Sequence, residues 1–438
     1  MPRMFGPIRK RKSPIYIATS IVLIVILAIV AGSAAVVIAT LVLLIVLFYP
    51  LFLVVWDRLY GEKDIADQLF YAHTDDGWNI AMHFHRPPYP RVGAFPVILS
   101  HGIANNKYGV DMDHSHSLAY YLKQHGFPVF VLSLRGVGKS YHASRYGYRD
   151  FNFDEIVQYD VPAVIRKARE LTGAPKISWV GHSMGAMIAY GFMGRKLDGH
   201  EDIASFVSLG GPGRIDHARR TIWGALSNYP WVNEILDFKF GAQVISPLTG
   251  RFTTPVEELV YSKDNVNSRT VRRLMKNGIE NIGQGLARQF LDWVKTNRET
   301  TVDGSHDYRE GLRNIKAPSL YLSGARDHIA VPESVKFAHD QSASKHKQYV
   351  TLGRESGAEV DYCHTGLVLG DRAIQDVFPR VLAWLETHGR EKRGRIVFAR
   401  IIRRVQKRRE HRRERRRGNR PPGKYRSPTN RPSSVIQA

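Results

Sequence analysis

Lys176-Ile177-Ser178-Trp179-Val180-Gly181-His182-Ser183-Met184-Gly185 reads as a strand-like run, a tight turn and the opening of a helix-like segment, Ala186 to Met193. A Gly-X-Ser-X-Gly match carries meaning only between a strand and a helix, and both flanks here are of that kind. The turn is tight enough to strain the serine backbone. Gly181 and Gly185 keep Cβ atoms out of the way of the adjoining strand and helix. The serine hydroxyl is then thrust out at the end of a sheet strand, with the next backbone N–H turned toward any anion formed there.

Outward from this turn, residues 68–389 alternate strand-like and helix-like segments, the pattern of a mainly parallel sheet covered by helices. Asp75-Asp76-Gly77 suits a hairpin turn between two opening strands. Val97–Ser100 and Pro128–Leu132 are short apolar runs suited to buried central strands. Spacing predicts a helix over Asp154–Leu171, strands at Ala204–Leu209, Ser319–Leu322 and Lys347–Leu352, and a closing helix over Ala373–Thr387. Between about 211 and 316 the alternation stops. That stretch, rich in Trp223, Tyr229, Trp231, Phe238, Phe240 and Phe290, is expected to form a helical cap over the serine.

A serine hydroxyl is a weak nucleophile at neutral pH and needs a base held in one tautomer by a carboxylate. With this kind of turn the partners follow in the order serine, acid, histidine. Asp327 lies on the loop after the strand Ser319–Leu322, and His364 follows the last strand, just before a helix. Both loops fall at the carboxyl edge of the sheet, where ligands bind in open α/β folds. Ser183, Asp327 and His364 are therefore the candidate catalytic residues. Asp361 is a weaker acid, being too near His364 in sequence to come from a separate strand end.

His101-Gly102-Ile103 directly follows the strand Val97–Ser100. The amide N–H groups of Met184 and Ile103 are the candidate oxyanion donors, and Gly102 lets the backbone pass close to a substrate. His101 is read as a supporting residue. Arg135-Gly136-Val137-Gly138-Lys139-Ser140 lacks the spacing of a phosphate loop, because Ser133 stands where its first glycine would be. Arg135 is read as a structural ion-pair partner. Cys363 has no such turn around it and is read as a packed side chain.

These residues resemble the α/β-hydrolase superfamily over about 68–389, and within it serine lipases and esterases of the acid-lipase type and related bacterial hydrolases. The resemblance is carried by Leu99-Ser100-His101-Gly102, Ser117-Leu118-Ala119, Gly126-Phe127-Pro128-Val129, Leu134-Arg135-Gly136, Asp160-Val161-Pro162-Ala163, Thr172-Gly173 and the serine turn. It implies an α/β-hydrolase fold and ester hydrolysis through an acyl-serine intermediate, with Ser183, Asp327 and His364 as triad. No metal or cofactor is implied. Polyhydroxyalkanoate synthases share the architecture but place a cysteine at this turn; haloalkane dehalogenases and epoxide hydrolases place an aspartate. Acyl transfer on the same triad, and a catalytically silent scaffold, stand as alternatives.

The chain's formal charge of +23 sits at its two ends. Residues 390–431 carry a net +16 and residues 1–12 a net +5, leaving +2 for everything between. One cysteine excludes an intrachain disulfide framework and a cysteine-based zinc site. Ile15 to Trp56 is 42 residues without a charged side chain. As one helix it would run about 63 Å, twice a hydrocarbon core of about 30 Å. Two crossings with a reversal at Gly32-Ser33 fit better than a signal peptide or one long tilted span. Arg9-Lys10-Arg11-Lys12 would keep the N-terminus (1–14) cytoplasmic, and an even number of crossings (15–56) would leave the catalytic domain there too. Residues 57–67 are then a linker. The tail, 390–438, is expected to include an amphipathic helix on anionic lipid, around Ile396, Val397, Ile401, Ile402 and Val405, and otherwise to be unstructured. It is read as membrane-binding in preference to nucleic-acid-binding, because it lacks interleaved aromatics. The expected substrate is a hydrophobic or lipid-like ester.

Overall fold

A computed structural model describes residues 32–33, 35–40, 43, 48, 51–52, 54–220, 237–251, 258 and 260–391. Among the described residues nine strands form one sheet: β1 (Gln68–His73), β2 (Trp78–His85), β3 (Val97–Ser100), β4 (Val129–Ser133), β5 (Tyr141–His142), β6 (Ile177–His182), β7 (Ile203–Leu209), β8 (Ser319–Gly324) and β9 (Lys347–Leu352). Their order is β1-β2-β4-β3-β6-β7-β8-β9, with the short β5 also on β2. β1 and β2 form an antiparallel hairpin and β2 lies antiparallel to β4. From β4 to β9 every pairing is parallel.

The parallel strands are covered on both faces, so β3, β4, β6 and β8 are buried along their whole length. One face packs Trp179 and Phe206 against α2 (Val161–Thr172) and α3 (Met184–Gly194). The other packs Leu99, Val131 and Val180 against α1 (Leu118–Gln124) and a C-terminal helix, Phe378–His388. α3 is enclosed all round: each of its eleven residues is buried. This fixes the helix that follows Ser183 in one orientation.

Two predicted helices are interrupted. The 154–171 segment begins with a capped turn at Asn152, passes through a π-type turn over Ile156–Asp160 and becomes regular only from Val161. Pro162 has no N–H to give to the preceding turn, and the wider turn absorbs that loss. The closing helix breaks at Val377 into Ala373–Asp376 and Phe378–His388: Pro379, in the first turn of the second piece, has no N–H to carry the helical ladder back across the break.

Between β7 and β8 the described residues contain no strand of the sheet. They form α4 (Phe238–Ile245), α5 (Ser268–Asn277) and α6 (Gln284–Thr296), plus a short turn of helix at Tyr308–Gly311. The aromatic stretch holding Trp223, Tyr229 and Trp231 lies outside the described residues. Phe290 packs with Phe153 and Trp293 in the core beneath α6, an ordinary packing role.

The expected membrane hairpin lies largely outside the described residues, and the basic tail beyond Glu391 wholly so. Among the described residues no helix is long and apolar enough to cross a membrane. Gly32 and Ser33, where a reversal is expected, are helical. The segment read as a linker is docked on the cap and on the sheet. Tyr60 and Glu62 bond Asn277, and Asp64 bonds His83 and Lys107.

Candidate active site

Ser183 sits between β6 and α3 with φ 54° and ψ −124°, a left-handed conformation that a non-glycine residue holds only under constraint. The constraint is visible on three sides. The Ser183 amide donates to the Leu209 carbonyl at 2.9 Å, tying the turn to the end of β7. A Cβ on Gly185 would lie 2.4 Å from the Ser100 carbonyl oxygen, so α3 approaches the end of β3 as only glycine permits. Trp179, fully buried on β6, donates its indole N–H to the Gly185 carbonyl at 3.0 Å.

Asp327 lies on the loop leaving β8 and His364 beyond β9, both buried. His364 Nδ1 and Asp327 Oδ2 are 2.8 Å apart. The other carboxylate oxygen accepts the Ile329 and Ala330 amides at 2.9 and 2.8 Å, which locks the carboxylate plane. An Nδ1–H donating to Asp327 leaves the lone pair on Nε2. Gly210, next to the Leu209 carbonyl that holds Ser183, has φ 57° and abuts this pair. A Cβ there would meet Asp327 Oδ2 at 3.2 Å and His364 Nδ1 at 3.3 Å. Asp327 and His364 thus meet beside Gly210 at the end of β7, and the Ser183 backbone is tied to the preceding residue, Leu209. Asp361 does not join them: its carboxylate accepts the Arg354 amide at 2.8 Å instead.

The His101–Ile103 loop passes over the serine. A Cβ on Gly102 would lie 3.0 Å from Ser183 Cβ and 3.4 Å from its Oγ. Met184, as the first residue of α3, presents one of the N–H groups that no helical carbonyl can accept. Ile103 is adjacent to Gly102 on the facing loop. His101 is buried, with Nδ1 2.8 Å from the Gly102 carbonyl and Nε2 accepting the Leu134 amide at 3.1 Å. Both ring nitrogens are thereby occupied in a neutral tautomer. Burial pushes its pKa down to about 4. His101 braces the loop.

Two residues that the sequence did not single out hold the histidine. His182 Nε2 lies 3.2 Å from the His364 carbonyl, and the two rings are 4.6 Å apart. Burial, then the neighbouring His364, hold His182 well below the usual histidine range. Asn265, from the cap, accepts the Cys363 amide at 3.2 Å, and the Thr365 hydroxyl donates to the Val260 carbonyl at 2.8 Å. Nothing marks Asn265 in the sequence. His182 occupies a variable position of the serine motif and could have been suspected from its place there.

Arg135 is buried, with Nη2 2.6 Å from Asp160 and Nη1 2.8 Å from Asp76. Burial alone would lower its guanidinium, but these carboxylates hold it well above its usual range. It pins the β1–β2 turn to the π-type turn and touches no triad residue in these bonds. Cys363 is buried beside His364, and burial pushes its thiol up, away from the reactive thiolate.

Residues 96–356 match the family described as the alpha/beta hydrolase fold. The chain belongs to the α/β-hydrolase family. It is also similar to Lipase 1 of Drosophila melanogaster, 33% identical over 135 residues, 30% of either chain. Sterol esterase 2 of Saccharomyces cerevisiae is 32% identical over 145 residues, 31% of this chain and 27% of that one. Gastric triacylglycerol lipase of Rattus norvegicus is 33% identical over 129 residues, 27% and 32% of the two chains. The chain spans about a third of the length of these relatives.

Proposed function

We propose that this α/β-hydrolase is a membrane-anchored serine hydrolase that cleaves a carboxylic ester with an apolar acyl group. The observation that carries the reading is the strained Ser183 turn, tied through Leu209 to Gly210, which abuts the bonded His364–Asp327 pair. The names lipase and sterol esterase borne by the relatives favour an apolar ester. The uncharged run of residues 15–56 favours a membrane anchor, and the basic tail favours contact with anionic lipid.

In this mechanism His364 Nε2 takes the Ser183 proton as Oγ attacks the ester carbonyl carbon. The carbonyl electron pair moves to oxygen, and the oxyanion accepts hydrogen bonds from the Met184 and Ile103 amides, each worth about 3 kcal/mol in such sites. The intermediate collapses to an acyl-serine, and His364 gives its proton to the departing alcohol. Water then attacks the acyl carbon with His364 as base, and the acid leaves as Ser183 recovers its proton. Asp327 keeps His364 in the required tautomer throughout.

The test is a chain-length series of nitrophenyl esters given to the parent protein and to Ser183→Ala. The parent should turn over at least one chain length, and the variant none. Equal turnover by both, or no turnover by a folded parent, would dismiss the reading. Addition of alcohol acceptors separates hydrolysis from acyl transfer through the ratio of new ester to free acid.

A further inference from the structure

Many of the exposed large hydrophobic side chains of the described residues lie in two segments that touch, while others, such as Tyr89 and Val302, are scattered. On the helix at 54–60 and the residues just before it, Leu51, Val54 and Leu59 are each more than half exposed. On α4 and the turn after it, Val244, Ile245 and Leu248 are 42%, 50% and 55% exposed. The Trp56 indole N–H donates to the Ser246 hydroxyl, which sets the two groups side by side.

The same N-terminal segment is fastened to α5. Lys276 Nζ is 3.1 Å from Asp57, Asn277 Nδ2 donates to the Tyr60 carbonyl at 2.7 Å, and Arg273 pairs with Glu62. Just past this same C-terminal end of α5 the chain runs into the loop beside the serine. The Asn106 amide donates to the Gly278 carbonyl at 2.9 Å, and the Glu280 amide to the Ala104 carbonyl at 3.0 Å. One short helix therefore joins the apolar N-terminal segment to the loop bearing Ile103.

We propose that Val244, Ile245 and Leu248, with the helix at 54–60, seat the cap in the acyl region of an anionic bilayer, from which the site draws its ester. This rests on the hydrolase and anchoring readings above. A bilayer is favoured over a protein partner because the 42 uncharged residues from Ile15 to Trp56 run directly into the helix at 54–60. Whatever phase accepts that run lies next to α4. Charge agrees. On α5, Arg273 and Lys276 are already paired with Glu62 and Asp57, but Arg269 is exposed, suited to an anionic headgroup.

The test uses the full chain reconstituted in phosphatidylcholine–phosphatidylglycerol vesicles. Ile245→Cys and, as a control beyond the end of β2 at the opposite edge of the sheet from Ser183, the exposed Tyr89→Cys are labelled with an environment-sensitive fluorophore. Cys363 is buried, and the labelled parent gives the blank. Nitroxide-bearing lipid should quench the probe at 245 and spare the one at 89. In parallel, Val244→Asp with Ile245→Asp should lower the ratio of vesicle-borne to soluble ester turnover about tenfold, the loss of two apolar contacts with lipid. A floated protein whose 245 probe is unquenched overturns the proposal alone. So does a probe shielded from iodide yet untouched by lipid nitroxide, the signature of a protein occupant. A parent that fails to float overturns the anchoring reading and the proposal together. A parent that floats and quenches but turns over no ester in either form sinks the hydrolase reading and the bilayer-drawn ester, while cap seating stands on the quenching.

Discussion

Substituting Gly102 by alanine puts one methyl group against the proposed nucleophile and changes little else. Gly102 is not among the residues at positive φ, so alanine is not excluded by the backbone. The new Cβ would lie 3.0 Å from Ser183 Cβ, 3.4 Å from Ser183 Oγ and 3.6 Å from His182 Nδ1. Carbon atoms rest about 3.5–4.0 Å apart, so the loop or the serine must recede by roughly 0.5–1 Å. Ser183 cannot give easily, being held by Leu209 behind it and by the close approach of Gly185 to Ser100. The loop moves instead, carrying Ile103 away from Met184. A misplacement of about 1 Å costs about 100-fold in rate, or about 2.7 kcal/mol of transition-state stabilisation. Overpacking costs roughly 1–3 kcal/mol of stability, offset in part by the lower chain entropy of unfolded alanine. The assay is kcat/KM on a soluble nitrophenyl ester beside a thermal melt. The expected result is a large loss of rate with a melting temperature lowered by only a few degrees. A variant within about threefold of the parent rate, against the hundredfold expected from such a misplacement, would refute the placement of this loop over the serine.

Asp327→Asn offers an N–H to Nδ1 and turns His364 to the wrong tautomer; kcat should fall on the order of 10⁴-fold with the melt nearly unchanged. Asn265→Ala leaves the buried Cys363 amide without its acceptor, costing about 1–3 kcal/mol, and frees the histidine loop. Kinetics should then show a lower kcat at near-constant KM. His101 is protonated in the unfolded chain below its ordinary pKa of 6.5 but in the folded protein only below about 4. Its contribution is therefore intact above pH 6.5 and is lost as pH falls toward 4. Urea unfolding should show roughly 2 kcal/mol less stability at pH 5 than at pH 7 from this residue, and His101→Asn should flatten that slope.

The site was legible where sterics dictate residue type. Gly185 abuts a carbonyl, and β3 and β4, buried on both faces, read as unbroken apolar runs. The order of Asp327 and His364 after Ser183 follows from strand order, and the parallel pairing of β6, β7 and β8 brings their ends together. What stayed hidden depends on contacts distant in sequence. Asn265 is one polar residue in a cap without a motif. Asp57, Glu62 and Asp64 look like solvated linker charges, yet pair with Lys276, Arg273 and Lys107. Each partner lies on an element whose position no local pattern reveals. The π-type turn before Pro162 and the break before Pro379 are local, and both prolines could have signalled them.

The most direct measurement is covalent labelling with a fluorophosphonate, followed by mass analysis of the intact chain and of its peptides. One adduct on the Ser183 peptide is expected, absent in Ser183→Ala and strongly slowed in His364→Ala. A folded parent that takes no label, or takes it on another residue, would contradict the claim that Ser183 is an activated nucleophile.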